Sequence, residues 1–217
     1  MQTTLDFPQP LAEKYRPQKI QDFVGLEKAK KILAKLAMNP YESAWLFVGP
    51  SGTGKTTMAL ALAAEMPAEL HHIPARECTL EAIQNVCKTC CYMPRMENDW
   101  QACKMHLVLI DEADSMTPAA QLAMLSRLDA TAFPARTIFI LTCNATDNLE
   151  KRFLSRCRVI EYSNYGLSGE IAGLLAAIWN RETANSAEPP NFARIAKESC
   201  NNVRDALMTL EVELLAL

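Results

Sequence analysis

The sequence predicts an α/β fold: a five-stranded parallel sheet flanked by helices, with a small C-terminal helical domain after it. Three observations carry that reading. Apolar strand-like runs alternate with helical periods through residues 44–162, the pattern that builds parallel sheets with helices on both faces. The run Met105-His106-Leu107-Val108-Leu109-Ile110 is apolar almost without interruption, as a strand buried on both faces is. Beyond Ser163 only helical periods remain, at Leu167–Trp179, Phe192–Cys200 and Val203–Leu217, with Pro189-Pro190 punctuating a polar loop. The expected division is therefore 1–162 for the α/β domain and 163–217 for a helical lid.

Each element follows from its residues. Ala44–Val48 is the first strand, and Thr56–Ala64 is a helix-prone run of Ala, Leu and Met. Leu70–Pro74 reads as a short strand, Thr79–Met93 as a helix and Pro94–Cys103 as an irregular polar connection. The third strand, Met105–Ile110, ends at Asp111-Glu112-Ala113-Asp114. Thr117 then caps an amphipathic helix that has Pro118 in its first turn and runs to about Leu128. Thr137–Cys143 is the fourth strand, ending at Asn144, and Val159–Tyr162 is the fifth.

Between the first strand and its helix lies Gly49-Pro50-Ser51-Gly52-Thr53-Gly54-Lys55-Thr56, followed by Thr57. This G-x-x-x-x-G-K-T loop, delivered by a strand and opening a helix, is a phosphate cradle. Its glycines let backbone N–H groups curl round an anion, and the helix start adds its positive end. Lys55 is expected to reach the β- and γ-phosphates and the Thr56 hydroxyl to sit on Mg²⁺. The fold is thus of the P-loop NTPase type, with a nucleoside triphosphate as ligand. Asp111 is the expected second Mg²⁺ residue, acting through water, and Glu112 could polarise an attacking water. Strand ends 48, 111 and 143 should converge on one crevice. There Asn144 can orient water against the terminal phosphate.

Composition narrows the class further. The 217 residues carry a formal net charge of −3, which argues against a lone subunit gripping DNA through one broad basic face. A ring to which each subunit adds a few cations stays open. No apolar stretch approaches the ~20 residues of a membrane span, and the N-terminus lacks the pattern of a secretory signal. A cytoplasmic location is expected, nuclear if the source is eukaryotic. Of eight cysteines, five fall at Cys78, Cys87, Cys90, Cys91 and Cys103. Leu80, Ile83, Val86, Cys87, Cys90 and Cys91 share a helical face, so these thiols are read as small core residues. Zinc on Cys78, Cys87, Cys90 and Cys103 is the reading set aside, because a second close Cys or His pair is missing.

Several motifs occur in a telling order: Glu13-Lys14-Tyr15-Arg16-Pro17, the P-loop, Asp111-Glu112-Ala113-Asp114, Thr142-Cys143-Asn144, Ser155-Arg156-Cys157 and Val203-Arg204-Asp205-Ala206-Leu207. Together they resemble the AAA+ ATPases of the clamp-loader group: replication factor C small subunits, phage clamp loaders and the bacterial gamma/tau subunit. The likeness covers nearly the whole chain, without the collar domain found in those proteins after the lid. It implies that Tyr15, Arg16 and Pro17, with Val24 and Gly25, line the adenine pocket. It makes Asn144 a first sensor, Arg204 a second sensor on the lid, and Arg156 an arginine finger for a neighbouring subunit's ATP. The implied catalytic set is thus Lys55, Asp111, Glu112, Asn144, Arg156 and Arg204. In relatives the helix after the second strand tracks template phosphates and is basic. Here it offers Arg76, Lys88 and Arg95, with Gln84 where a basic residue is common.

The implied function is an ATP-hydrolysing oligomeric switch acting on DNA or a DNA-bound partner in replication or repair. Its implied partners are identical or different AAA+ subunits, DNA, and a sliding clamp or a helicase, with no membrane. Helicase loading or another DNA-remodelling role is the alternative, as is a non-hydrolysing structural subunit.

Overall fold

The computed structural model describes residues 9–94, 105–129, 131–184 and 187–216. They fall into two units, one made of 17–163 and one joining the N-terminal segment through Arg16 to the C-terminal segment from Asn164 onward. The helices, in chain order, are α1 (Leu11–Lys14), α2 (Glu27–Met38), α3 (Lys55–Glu65), α4 (Leu80–Thr89), α5 (Pro118–Arg127), α6 (Lys151–Leu154), α7 (Ser168–Glu182), α8 (Phe192–Glu198) and α9 (Val203–Leu215). The strands are β1 (Ser43–Val48), β2 (Ala68–Pro74), β3 (Met105–Asp111), β4 (Thr137–Cys143) and β5 (Arg158–Glu161).

The strands form one sheet in the order β2-β3-β4-β1-β5, every pair parallel. Successive side chains of a strand point to opposite faces, and the core divides accordingly. Trp45, Phe47, Leu107, Leu109, Ile138 and Ile140 pack on α2 and α3. Leu46, Val108, Ile110, Phe139 and Leu141 pack on the other face, among residues of α4, α5 and α6. The three central strands are buried along nearly their whole length, which is why their sequences lack alternation.

Edge strand β2 is different. Glu69, His71 and Ile73 are half-buried while Leu70 and His72 are exposed. The polar Glu69 hides the start of this strand, which begins at Ala68, two positions before the expected one. Helix α4 stops at Thr89, short of the expected Met93, with Cys90 as its cap. Thr79 and Thr117 accept hydrogen bonds from Ala82 N and Ala120 N and so cap α4 and α5. Leu80 and Cys91 are exposed rather than on the buried face, because the helix meets the core through Ile83, Cys87 and Cys90, with Val86 packed at its margin.

In the helical unit, Ile171, Leu175, Ile178, Trp179, Ile195, Ala196, Ala206, Leu207 and Leu210 are buried. Asn191 and Asn202 cap α8 and α9 through Arg194 N and Arg204 N, each at 3.0 Å. Segment 9–16 belongs to this unit and not to the sheet: the Lys14 ammonium lies 2.7 Å from the Glu182 carboxylate at the end of α7, and the Tyr15 hydroxyl donates to the same carboxylate. Among the described residues no helix is long and apolar enough to cross a membrane.

Candidate nucleotide site

Register brings the carboxyl ends of the central strands level. Val48 pairs with Cys143 and with Glu161, and Ile110 pairs with Leu141. Strand β4 lies between β1 and β3, so the residues just after it stand between the P-loop and the Asp111 acid cluster. The loop itself is shaped by two glycines. A Cβ at Gly49 would lie 2.2 Å from Tyr162 O, so no larger residue fits where the loop leaves β1 beside β5. Gly54 takes a left-handed conformation (φ 86°), and a Cβ there would meet the Phe23 ring at 3.0 Å. That contact sets the segment holding Val24 and Gly25 beside the start of α3.

Lys55 opens α3 and is almost fully buried. Its ammonium donates to Gly49 O at 2.7 Å, Pro50 O at 2.9 Å and Asn144 Oδ1 at 3.0 Å. The cation is thereby held at the mouth of the loop and tied to the end of β4. Thr53 Oγ1 donates to Pro50 O at 2.8 Å and braces the turn. The Thr56 hydroxyl donates to Asp111 Oδ1 at 2.7 Å. A hydroxyl used in this way keeps its oxygen lone pairs for a hard cation, and a carboxylate and a hydroxyl are the oxygen donors Mg²⁺ takes beside phosphate and water. The donor set therefore fits the Mg²⁺ expected at Thr56 and Asp111.

Asp111 Oδ1 also accepts the Thr142 hydroxyl at 2.5 Å, and Thr142 Oγ1 accepts Glu112 N–H at 3.1 Å. Glu112 sits in the left-handed region (φ 56°, ψ 47°) and its side chain is exposed. That conformation is costly for a residue with a side chain, and the bond to Thr142 helps hold it. Asn144 N–H donates to Asp114 Oδ2 at 3.0 Å. Thr142 and Asp114 thus orient Asp111, Glu112 and Asn144, roles that the sequence reading did not give them. One signal was present: Thr142 is a polar residue in a strand otherwise apolar from 138 to 141.

A model of the AAA family, the ATPase family associated with various cellular activities, matches residues 45–165. The chain belongs to the AAA family. It is 29% identical over 211 residues to replication factor C subunit 2 of Arabidopsis thaliana, covering 94% of this chain and 61% of that protein. It is 36% identical over 158 residues to replication factor C small subunit 1 of Pyrobaculum islandicum, covering 70% of this chain and 46% of that one. The chain therefore spans about half to three fifths of the length of these relatives. In fold it is similar to the Thermotoga maritima RuvB Holliday junction branch migration motor, with a TM-score of 0.70 and 20% identity over 94% of this chain and 65% of that one.

The remaining expected positions of this AAA chain are divided between its two units. Pro17, Val24 and Gly25 belong to the sheet unit with the P-loop, whereas Tyr15, Arg16 and Arg204 belong to the helical unit. Arg16 pairs with Glu13 at 3.2 Å. Burial and the neighbouring Glu182 push the Tyr15 phenol up. Arg204 is exposed in the first turn of α9. Arg156 follows α6, part exposed at the surface of the sheet unit, with Nε 2.6 Å from Asp129 Oδ1 and Nη1 donating to Arg152 O at 3.1 Å. Asp129, which the sequence reading passed over, thus sets the direction of this arginine. Arg76, Lys88 and Gln84 are exposed, and Arg95 lies outside the described residues. Cys78, Cys87 and Cys90 are buried in the layer under α4 and α5. Burial pushes the Cys78 and Cys90 thiols up to about 11. These three do not converge on one metal-sized group among the described residues, and Cys103 lies outside them.

Proposed function

We propose that this chain is an ATP-hydrolysing subunit of a clamp-loader-like assembly that acts in DNA replication. The observation that carries the reading is the Thr56–Asp111–Thr142–Glu112 chain of hydrogen bonds beside the Lys55–Asn144 contact. Lys55 and the loop N–H groups hold the phosphates, and Asn144 reads the terminal one. Glu112 takes the proton of a water that attacks the γ-phosphorus as the bond to the bridging oxygen breaks. Mg²⁺ at Thr56 and Asp111 would neutralise charge on the phosphate oxygens.

Arg156 supplies the remaining charge to a neighbouring subunit's ATP. Its pair with Asp129 is a part-exposed one, worth at most about 1 kcal/mol, so exchange onto a phosphate is not hindered. Tyr15 and Arg16 contribute to adenine binding and Arg204 to sensing. The similarity to replication factor C subunits supports DNA and a sliding clamp as partners, with Lys88 and Arg76 as DNA contacts.

The test is ATPase rate against protein concentration, alone and with the cognate replication subunits, with and without primed DNA. Specific activity should rise with assembly and with DNA. Arg156→Ala should lower it by about 10³-fold if the finger matches the trans arginines of GTPase activation. A rate independent of concentration, of DNA and of Arg156 would overturn the proposal.

A further inference from the structure

Away from the nucleotide site, the edge of the sheet holds a group of side chains with another chemistry. Glu69 and His71 lie two apart on β2 and so face the same side. Register sets Glu69 opposite His106 of β3, and Cys90, the cap of α4, closes over them. One ligand atom each from His71, Cys90 and His106 lies within 4.8 Å of the others. His71 Nε2 stands 3.0 Å from His106 Nδ1. The Glu69 carboxylate approaches His106 Nδ1 to 3.4 Å and His71 Nε2 to 3.9 Å. His106 and Cys90 are 1% and 2% exposed.

The geometry points to a metal-binding site for Zn²⁺ or a similar borderline-soft divalent ion, formed by His71, Cys90 and His106, with the neighbouring Glu69 carboxylate as the donor that would turn in to complete it. Two imidazoles, one thiolate and one carboxylate are the donor types that zinc takes in tetrahedral sites. Bonds of ~2.0–2.3 Å at tetrahedral angles put ligand atoms roughly 3.3–3.8 Å apart. The distances here straddle that range, so closure onto an ion needs only side-chain adjustment.

The surroundings are also those of a ligand shell. His106 Nε2 lies 3.0 Å from Tyr92 O. A backbone carbonyl there fixes the proton on Nε2 and leaves Nδ1 as the bare nitrogen facing the cluster, the second-shell arrangement of metal-bound histidines. His71 is part buried, with Nε2 turned toward the cluster. Without an ion, His71 Nε2–H can donate to that bare nitrogen; with one, the cation takes the proton's place. A thiolate and a carboxylate balance the two charges of the ion, and the ion in turn compensates a Cys90 thiolate that burial alone disfavours. Completed by Glu69, the shell would consist of protein ligands alone, as in structural sites. It staples the end of α4, which carries exposed Gln84 and Lys88, to edge strand β2.

The experiment uses the full chain, loaded with Zn²⁺ or Co²⁺ and freed of excess. Metal analysis should find one ion per chain at this site, and chelation should lower Tm reversibly. The Co²⁺ form should show the intense visible bands of a tetrahedral ion and a near-ultraviolet thiolate charge-transfer band. Cys90→Ser should abolish the charge-transfer band, and His71→Ala should abolish stoichiometric binding. His71 is only part buried, so this variant keeps the proposal testable if Cys90→Ser misfolds, with circular dichroism as the check. Cys87→Ser should leave both spectra unchanged. No retained ion and no Tm response to Zn²⁺ would overturn the proposal, leaving a hydrogen-bonded histidine pair. So would binding that survives His71→Ala, or that is lost in Cys87→Ser with Cys90→Ser unaffected.

Discussion

Thr142→Val tests whether Asp111 and Glu112 are held by the hydroxyl that bonds to both of them. Valine keeps the shape of threonine, and the site is 1% exposed, so packing is preserved. The change removes the donor to Asp111 Oδ1 and the acceptor of Glu112 N–H. A hydrogen bond to a charged group contributes about 1.5–3 kcal/mol, and an orphaned donor costs about 1–3 kcal/mol. The Glu112 N–H···Thr142 bond is only part-buried, so the second contribution falls at the low end. The sum is about 3 kcal/mol, which a domain with about 5–15 kcal/mol of stability survives. Turnover should fall by about 100-fold, the scale of a ~1 Å misplacement of a reacting group. Urea unfolding and steady-state ATPase measure the two effects, with Thr142→Ser as the control that keeps the hydroxyl. A Thr142→Val protein within about 0.5 kcal/mol of the parent, below the smallest cost of a lost charged hydrogen bond, and with unchanged turnover would refute the reasoning.

Two further outcomes are expected. The Tyr162 hydroxyl is buried with no hydrogen-bond partner among the described residues, and its ring packs on Phe47 at 5.3 Å. Tyr162→Phe should therefore raise stability by about 1 kcal/mol in thermal or urea melts, since an unsatisfied polar group is removed; a loss of that size would show that the hydroxyl is engaged. Hydrogen bonds from Lys14 and Tyr15 hold the Glu182 carboxyl below its usual value. A depressed carboxyl stabilises the fold above its unfolded value of about 4.3 and loses that contribution as pH falls through the folded value below it. Glu182→Gln should accordingly lose less stability than the parent between pH 6 and about 3, and identical acid slopes would contradict the assigned bonds.

The places of the P-loop, Asp111, Glu112 and Asn144 at the ends of β1, β3 and β4 were legible in the sequence because the patterns that set them are local. A loop of fixed spacing follows a strand and opens a helix, and two acids end a continuous apolar run. Strands β1, β3 and β4 were legible for the same reason, since burial on both faces leaves little room for polar residues. Strand β2 was read two residues short because an edge strand tolerates Glu69. The end of α4 was overrun because its thiols continue the apolar pattern past the point where the chain turns at Cys90.

By itself, then, the sequence determined the parallel α/β architecture, the glycine-rich loop after β1 and the acids that end β3, all properties of short windows. Only the tertiary structure decided which distant groups meet. Thr142 bonds to Asp111, Asp129 aims Arg156, segment 9–16 joins the helical unit, and His71, His106 and Cys90 come together from two strands and a helix end. Such meetings depend on strand register and on where helices stop. Those are fixed by packing over the whole core, and no local pattern of residues encodes them.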